Sequence, residues 1–195
     1  MSMNVFTPAP TQSARKTALW RDRVEDSLRS GSWSDCVAAC QSLLQIAPRH
    51  HFAQESLATA LLQLGEIERA ITAVQRLLEI SPRDPLHRLR LATLLQMQER
   101  PGQSLREFER IAEMYPDAPF SEDAREAMEN LDRLQTQQIL LMAAEQDAFR
   151  WQLERDAETT LEENGFYLTP DGFETLRQMI PGAEDEAPAS APRMH

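Results

Sequence analysis

Apolar residues in the first part of the chain recur every three or four positions, which is the spacing of one face of an α-helix. Leu57, Leu61 and Leu64 form one such stripe. The pattern predicts amphipathic helices, and its recurrence at a long fixed period indicates a repeat protein built from packed helix pairs. The positions that return after 34 residues are Leu57, Ala58 and Leu61, repeated as Leu91, Ala92 and Leu95.

Prolines and glycines separate the predicted helices and recur at the same 34-residue period. Pro48, Pro82 and Pro116 stand 34 residues apart, and each is expected to close a unit because a helix rarely continues through proline. Gly31 and Gly65 are predicted to lie in the turn between the two helices of their units, where a backbone of positive φ is needed. The predicted unit is therefore a helix, a short turn and a second helix.

This pattern resembles the tetratricopeptide repeat family. Trp20 stands where the family has an early aromatic residue, and Gly65 is followed by the bulky Ile67 at the turn. Three units can be laid out, at 17–50, 51–84 and 85–118, although Glu99 to Gly102 alter the turn of the third. The resemblance implies an all-α fold, a right-handed superhelical α-solenoid, with C-terminal helices that cap the stack.

The resemblance also implies a binding face, because ligands of the family lie along the first helices of successive units. An extended peptide or an amphipathic helix of a partner protein is the expected ligand. The carboxylate clamp of the family, which holds chaperone tails, is not expected, since Leu86 stands where it needs lysine. The residues projected onto this groove are Arg21, Glu25, Leu28, Phe52, Glu55, Thr59, Leu62, Leu86, Leu89, Arg90, Thr93 and Met97.

The sequence after the third proline loses the repeat but remains helical in character. Residues 119–164 are predicted to form an acidic capping segment, as one bent helix or two, and 165–182 a short helix capped by Thr169. That last helix is expected either to dock on the repeats as a cap or to detach and bind a partner. If it docks, it can occupy the groove of the protein itself. Residues 1–16 and 183–195 are predicted to be disordered tails.

Charge divides the chain unevenly. Residues 1–116 carry 14 basic and 13 acidic side chains, net +1, whereas residues 117–195 carry 6 basic and 18 acidic ones, net −12. Nucleic acid is not expected as a partner, since phosphate binding needs clustered cations. No apolar run is long enough for a membrane span.

Residue types that carry catalysis or bind metals are sparse. The sequence has no phosphate-binding glycine loop and no nucleophile motif, so no enzyme, cofactor or metal is expected. Cys36 and Cys40 fall at core positions and are interpreted as buried free thiols. His50 and His51 are adjacent and point in different directions, so they are not expected to share a metal ion. These two and His87 are interpreted as surface histidines.

The sequence therefore predicts a non-catalytic, cytoplasmic scaffold or adaptor that binds a protein segment in its groove. Two alternatives remain open. One is an acidic chaperone of the type found in bacterial secretion systems. The other is a structural protein that forms homodimers through its C-terminal helices, with Phe149 and Leu153 at the contact.

Overall fold

The computed structural model describes residues 11–180, which fold into ten α-helices and no strands. The chain forms two compact units, one up to Glu99 and one from Arg100 onward. The N-terminal unit contains α1 (Gln12–Ser30), α2 (Trp33–Ile46), α3 (His51–Gln63), α4 (Ile67–Ile80) and α5 (Pro85–Met97). The C-terminal unit contains α6 (Pro101–Met114), α7 (Pro119–Glu145), α8 (Asp147–Arg155), α9 (Ala157–Glu163) and α10 (Pro170–Met179).

The N-terminal unit is a stack of helix–turn–helix pairs, which confirms the predicted fold class. Gly31 and Gly65 take left-handed φ angles of 69° and 74° and so end the first helix of each pair. Pro48, Pro82 and Pro116 each lie in the short turn that follows the second helix. Sequential helices α1 to α5 pack against their neighbours, so the 34-residue period of the sequence corresponds to one helix pair.

One core runs through the N-terminal unit. The small residues Ala58, Ala70 and Ala92 are buried, so adjacent helices can approach closely where the repeat places them. Trp20 and Trp33 are partly buried and pack against this core from α1 and α2. The apolar stripes read from the sequence are therefore the surfaces that hold the helix pairs together.

The N-terminal boundary differs from the predicted disordered tail of residues 1–16. Helix α1 begins at Gln12, because the Thr11 hydroxyl caps it by accepting the Ala14 N–H at 3.2 Å and satisfies one of the unpaired groups of a helix start. Residues 12–16 are therefore helical. The remainder of that predicted tail, and the predicted tail at 183–195, lie outside the described residues.

The predicted helical segment at 119–164 is divided into three helices, not one or two. Gln146 leaves the helical conformation with φ −126° and ψ 99°, and Asp156 does so with φ −152° and ψ 87°. The Asp156 carboxylate then accepts the Thr159 N–H at 3.1 Å and starts α9. The hydrogen bonds to Asp156 also lower the pKa of its exposed carboxyl, as expected for a cap at a helix N-terminus.

The short C-terminal helix docks on α7 within the C-terminal unit. Thr169 is its N-cap, as predicted, and accepts the Gly172 N–H at 3.1 Å. The extended segment before it is held by Gln135, whose side chain donates to the Tyr167 carbonyl at 2.8 Å and accepts the Tyr167 N–H at 3.1 Å. These bonds let an irregular segment lie against a helix with its backbone groups paired.

The second core of the chain lies in the C-terminal unit and includes the two residues proposed for a dimer contact. Phe149 is only 4% exposed, and Leu153 is buried with it against Ile139 and Leu176. The placement of these residues at a dimer surface was therefore wrong. They face inward because α8 turns back after Gln146 and packs on α7.

Candidate interaction face and histidine pair

Three helices, α1, α3 and α5, carry all twelve residues predicted for the groove, and side-chain contacts join these helices in sequence. The guanidinium of Arg21 on α1 lies 5.6 Å from the centre of the Phe52 ring on α3. The Nε2 atoms of His51 on α3 and His87 on α5 lie 3.0 Å apart. The first helices of the repeats are therefore neighbours, as a common binding face requires. We call this surface of α1, α3 and α5 the inner face.

The apolar part of the inner face is concentrated on α5. Leu86 is 67% exposed and Met97 is 55% exposed, and Leu89 is also exposed. Phe52 and Leu62 of α3 are only partly exposed because they also pack against the core. Leucines and a methionine this exposed on one helix offer anchoring positions for an apolar ligand.

The charges of the inner face are mixed. Arg21 donates to Glu25 at 3.0 Å, and this ion pair is largely exposed. Glu55 lies 3.9 Å from Nδ1 of His51. Arg90 is partly buried, and its Nη1 atom is buried without a hydrogen-bond partner among residues 11–180. A ligand acceptor that reached this guanidinium after a small side-chain movement would pair with it favourably.

The two threonines of the inner face use their hydroxyls within their own helices. Thr59 donates to the Glu55 carbonyl at 3.1 Å, and Thr93 donates to the Leu89 carbonyl at 2.9 Å. Their hydroxyl hydrogens are therefore already engaged, and they contribute methyl groups and oxygen acceptors to the face.

The interpretation of all three histidines as surface groups was wrong for His87. This residue is 4% exposed, and it meets His51 rather than His50. His50 instead caps α3, where its Nδ1 accepts the Ala53 N–H at 3.3 Å. Asp84, the N-cap of α5, places its Oδ2 atom 3.5 Å from Nε2 of His87.

Burial lowers the pKa of His87, and the nearby His51 and Arg90 lower it further, while the carboxylates of Asp84 and Glu55 act in the opposite sense. His87 is therefore neutral at pH 7 and can offer a nitrogen lone pair. The reasoning from the sequence, which expected no metal ligands, missed this group. His51 and His87 are 36 positions apart, and only the packing of α3 beside α5 brings them together.

The two cysteines are buried free thiols on α2, as the sequence predicted. Their sulfur atoms lie 3.9 Å apart. Burial, with a further contribution from Cys36, raises the pKa of the Cys40 thiol. The Cys40 thiol is therefore protonated at neutral pH, and both buried sulfur atoms are shielded from reagents in solvent.

Comparisons with known proteins point to the same architecture. A tetratricopeptide repeat model matches residues 51–94, which span α3, α4 and most of α5. No curated protein matches the sequence. None of the helices between residues 11 and 180 combines the length and the apolar composition that a bilayer span needs.

Solved structures with the same helix arrangement include tetratricopeptide domains. The Arabidopsis OM64 TPR domain is 13% identical, with a TM-score of 0.50 over 58% of this chain and 94% of its own. The first TPR of Spaghetti (RPAP3), bound to an HSP90 peptide, is 12% identical, with a TM-score of 0.50 over 60% and 94%. The MamA RS-1 ArsTM double mutant is 18% identical, with a TM-score of 0.50 over 84% and 94%. At these identities the likeness concerns the fold.

Proposed function

We propose that the N-terminal unit, in which residues 51–94 match a tetratricopeptide repeat model, binds a segment of another protein on the inner face of α1, α3 and α5. The observation that carries this proposal is the exposure of Leu86, Leu89 and Met97 on one of those helices. Leu86 and Leu89 are about one turn apart on α5, and exposed apolar side chains that adjoin one another commonly mark a binding surface.

The character of the face favours a ligand with apolar anchors. The first TPR of Spaghetti was solved bound to an HSP90 peptide, so a domain of similar fold can hold a short peptide. The inner face here has Leu86 at a position where the family's clamp needs lysine, and its Arg21 is already paired with Glu25. We therefore favour an extended peptide or an amphipathic helix with two or three apolar side chains and one acceptor for Arg90.

Such a ligand should bind with a dissociation constant of about 1 μM, because the cost of ordering a short peptide offsets much of its contact energy. The proposed role is that of a scaffold or adaptor, since the repeat fold is typically a non-catalytic interaction module. A cytoplasmic location stays a prediction, with which two buried free thiols are compatible. The secretion-type chaperone also stays a prediction.

The proposal can be tested with a peptide selected on the full-length protein from a random displayed library. Leu89→Glu should weaken binding of that peptide by more than about tenfold, because it places a charge among the anchors. The matched control is Leu134→Glu on α7, since Leu134 is also an exposed leucine, at 60%. Equal affinity of wild type and Leu89→Glu, or an equal loss in both variants, would contradict the assignment of the face.

A further inference from the structure

Two histidines and one aspartate converge at the N-terminal ends of α3 and α5. His51 is the first residue of α3, Asp84 is the N-cap of α5 and His87 lies in the first turn of α5. One ligand atom from each residue lies within 4.8 Å of the other two. None of the three residues is among the twelve projected onto the inner face, although Glu55 of that face lies beside His51.

The separations within the cluster match the edges of a metal coordination sphere. Zinc binds histidine nitrogens at about 2.0–2.1 Å in tetrahedral geometry, so two ligand atoms on one ion lie about 3.3 Å apart. The His51 and His87 Nε2 atoms are 3.0 Å apart, and the Asp84 Oδ2 atom is 3.5 Å from the His87 Nε2 atom. The His51 and Asp84 ligand atoms are within 4.8 Å of each other, so these two side chains would close toward an ion that His87 already faces.

The surrounding groups hold the ligands in place. Asp84 uses its other oxygen, Oδ1, to accept the Leu86 N–H at 2.9 Å, which fixes the carboxylate and leaves Oδ2 facing His87. Glu55 lies 3.9 Å from Nδ1 of His51, the nitrogen opposite the one that faces His87. A carboxylate behind a ligating histidine is the usual outer-sphere arrangement of metal sites.

The charge and exposure of the cluster also suit a cation. Asp84 and Glu55 bring two negative charges, whereas one cation, Arg90, lies near enough to influence His87. His87 is buried, but His51 and Asp84 are partly exposed, so an ion can enter from solvent. Imidazole nitrogens with one carboxylate are ligands that zinc accepts readily, unlike magnesium or calcium.

We propose that His51, Asp84 and His87 form a binding site for a zinc-class divalent transition metal, with the fourth coordination position open to water. Binding joins α3 to α5 through one ion and therefore ties the second helix pair to the helix that follows it. Any ion held only by the folded chain also stabilises the fold.

The test has two titrations of the full-length protein. Addition of ZnCl₂ is monitored by calorimetry, and addition of CoCl₂ is monitored by the visible absorption of tetrahedral cobalt. Loss of a ligand in His51→Gln should weaken zinc binding by about 100-fold or more. Glu55→Gln should weaken it by about 10–100-fold, because Glu55 acts from the outer sphere. His50→Asn is the matched control: it alters the neighbouring histidine, retains a capping side chain and should bind zinc as wild type does.

His51 is partly exposed, so its variant should fold, and circular dichroism checks this directly. His87→Asn serves as a second variant if its thermal transition remains intact. Zinc should raise the melting temperature of wild type and of His50→Asn but not that of His51→Gln. The proposal is overturned if wild type binds zinc more weakly than about 100 μM, or if His51→Gln binds it as tightly as wild type. A simple hydrogen bond between the two imidazoles, with no metal site, would give the first of these results.

Discussion

Asp132 connects α7 to the start of α10, and its removal is expected to loosen the C-terminal helix. The buried carboxylate accepts the Thr169 N–H at 3.0 Å and also the Thr169 hydroxyl. The same hydroxyl oxygen accepts the Gly172 N–H at 3.1 Å. Asp132→Ala removes the acceptor at the end of this chain of bonds and leaves two donors of Thr169 buried without a partner.

The magnitude follows from those two donors. A buried donor left without a partner costs about 1–3 kcal/mol, so Asp132→Ala, which orphans two, should lower the free energy of unfolding by about 2–6 kcal/mol. Asp132→Asn keeps an oxygen acceptor for the Thr169 N–H but loses the one for the hydroxyl, and should cost about 1–3 kcal/mol, less than Asp132→Ala. Glu129→Ala, an exposed carboxylate one turn earlier on α7, is the control and should change stability by less than about 0.5 kcal/mol.

The pH dependence gives an independent check. Burial raises the pKa of Asp132 above its usual range, although the hydrogen bonds from Thr169 oppose the shift. A raised folded-state pKa means that the proton stabilises the fold, so this contribution is present at low pH and is lost as the pH rises through that value. Wild type should therefore lose stability relative to Asp132→Asn as the pH rises above the range in which an ordinary aspartate titrates.

The assay is urea unfolding of the full chain at several pH values, combined with hydrogen exchange of the α10 amides. Faster exchange in α10 of Asp132→Ala than in Glu129→Ala would support the role of the carboxylate. Unfolding of Asp132→Ala at the same urea concentration as wild type, with unchanged exchange in α10, would refute the reasoning.

Three further predictions concern packing and chemistry. Gly172→Ala should destabilise the C-terminal unit by about 1–3 kcal/mol in thermal melts, because the new Cβ would lie 2.6 Å and 2.7 Å from the Asp132 oxygens; Gln178→Ala, exposed on the same helix, should not. Phe149→Glu should unfold the C-terminal unit, with a cost of several kcal/mol, and light scattering would refute this if it showed only a halved mass with intact helicity. The thiols of Cys36 and Cys40 should react with a disulfide reagent at pH 8 only after denaturant is added, because both side chains are fully buried and out of the reagent's reach; fast reaction in the native state would contradict their placement.

The repeat architecture could be predicted from the sequence because its signals are local. A glycine at a left-handed position, a proline after a helix end and a leucine stripe each act within a few residues. Because these signals recur every 34 residues, each repeat supports the interpretation of the others. The cap at Thr169 was predictable for the same reason, since it needs only the residues that follow. Local rules therefore explain most of the helix boundaries.

The features that the sequence did not reveal depend on contacts between distant positions. His51 meets His87 across 36 positions, and Gln135 holds Tyr167 across 32. The inward orientation of Phe149 depends on the break at Gln146, for which the residues around it give no strong stop signal. The charge of a side chain and its helical face can be predicted, but not which partner will meet it.

The most direct test of the proposed binding role is amide chemical-shift mapping of a selected peptide on the isotope-labelled full chain. The proposal predicts that the largest shifts fall on α1, α3 and α5, with strong changes near Leu86, Leu89 and Arg90. Shifts confined to α6–α10, or to the second helices α2 and α4, would contradict it and move the binding surface to another part of the molecule.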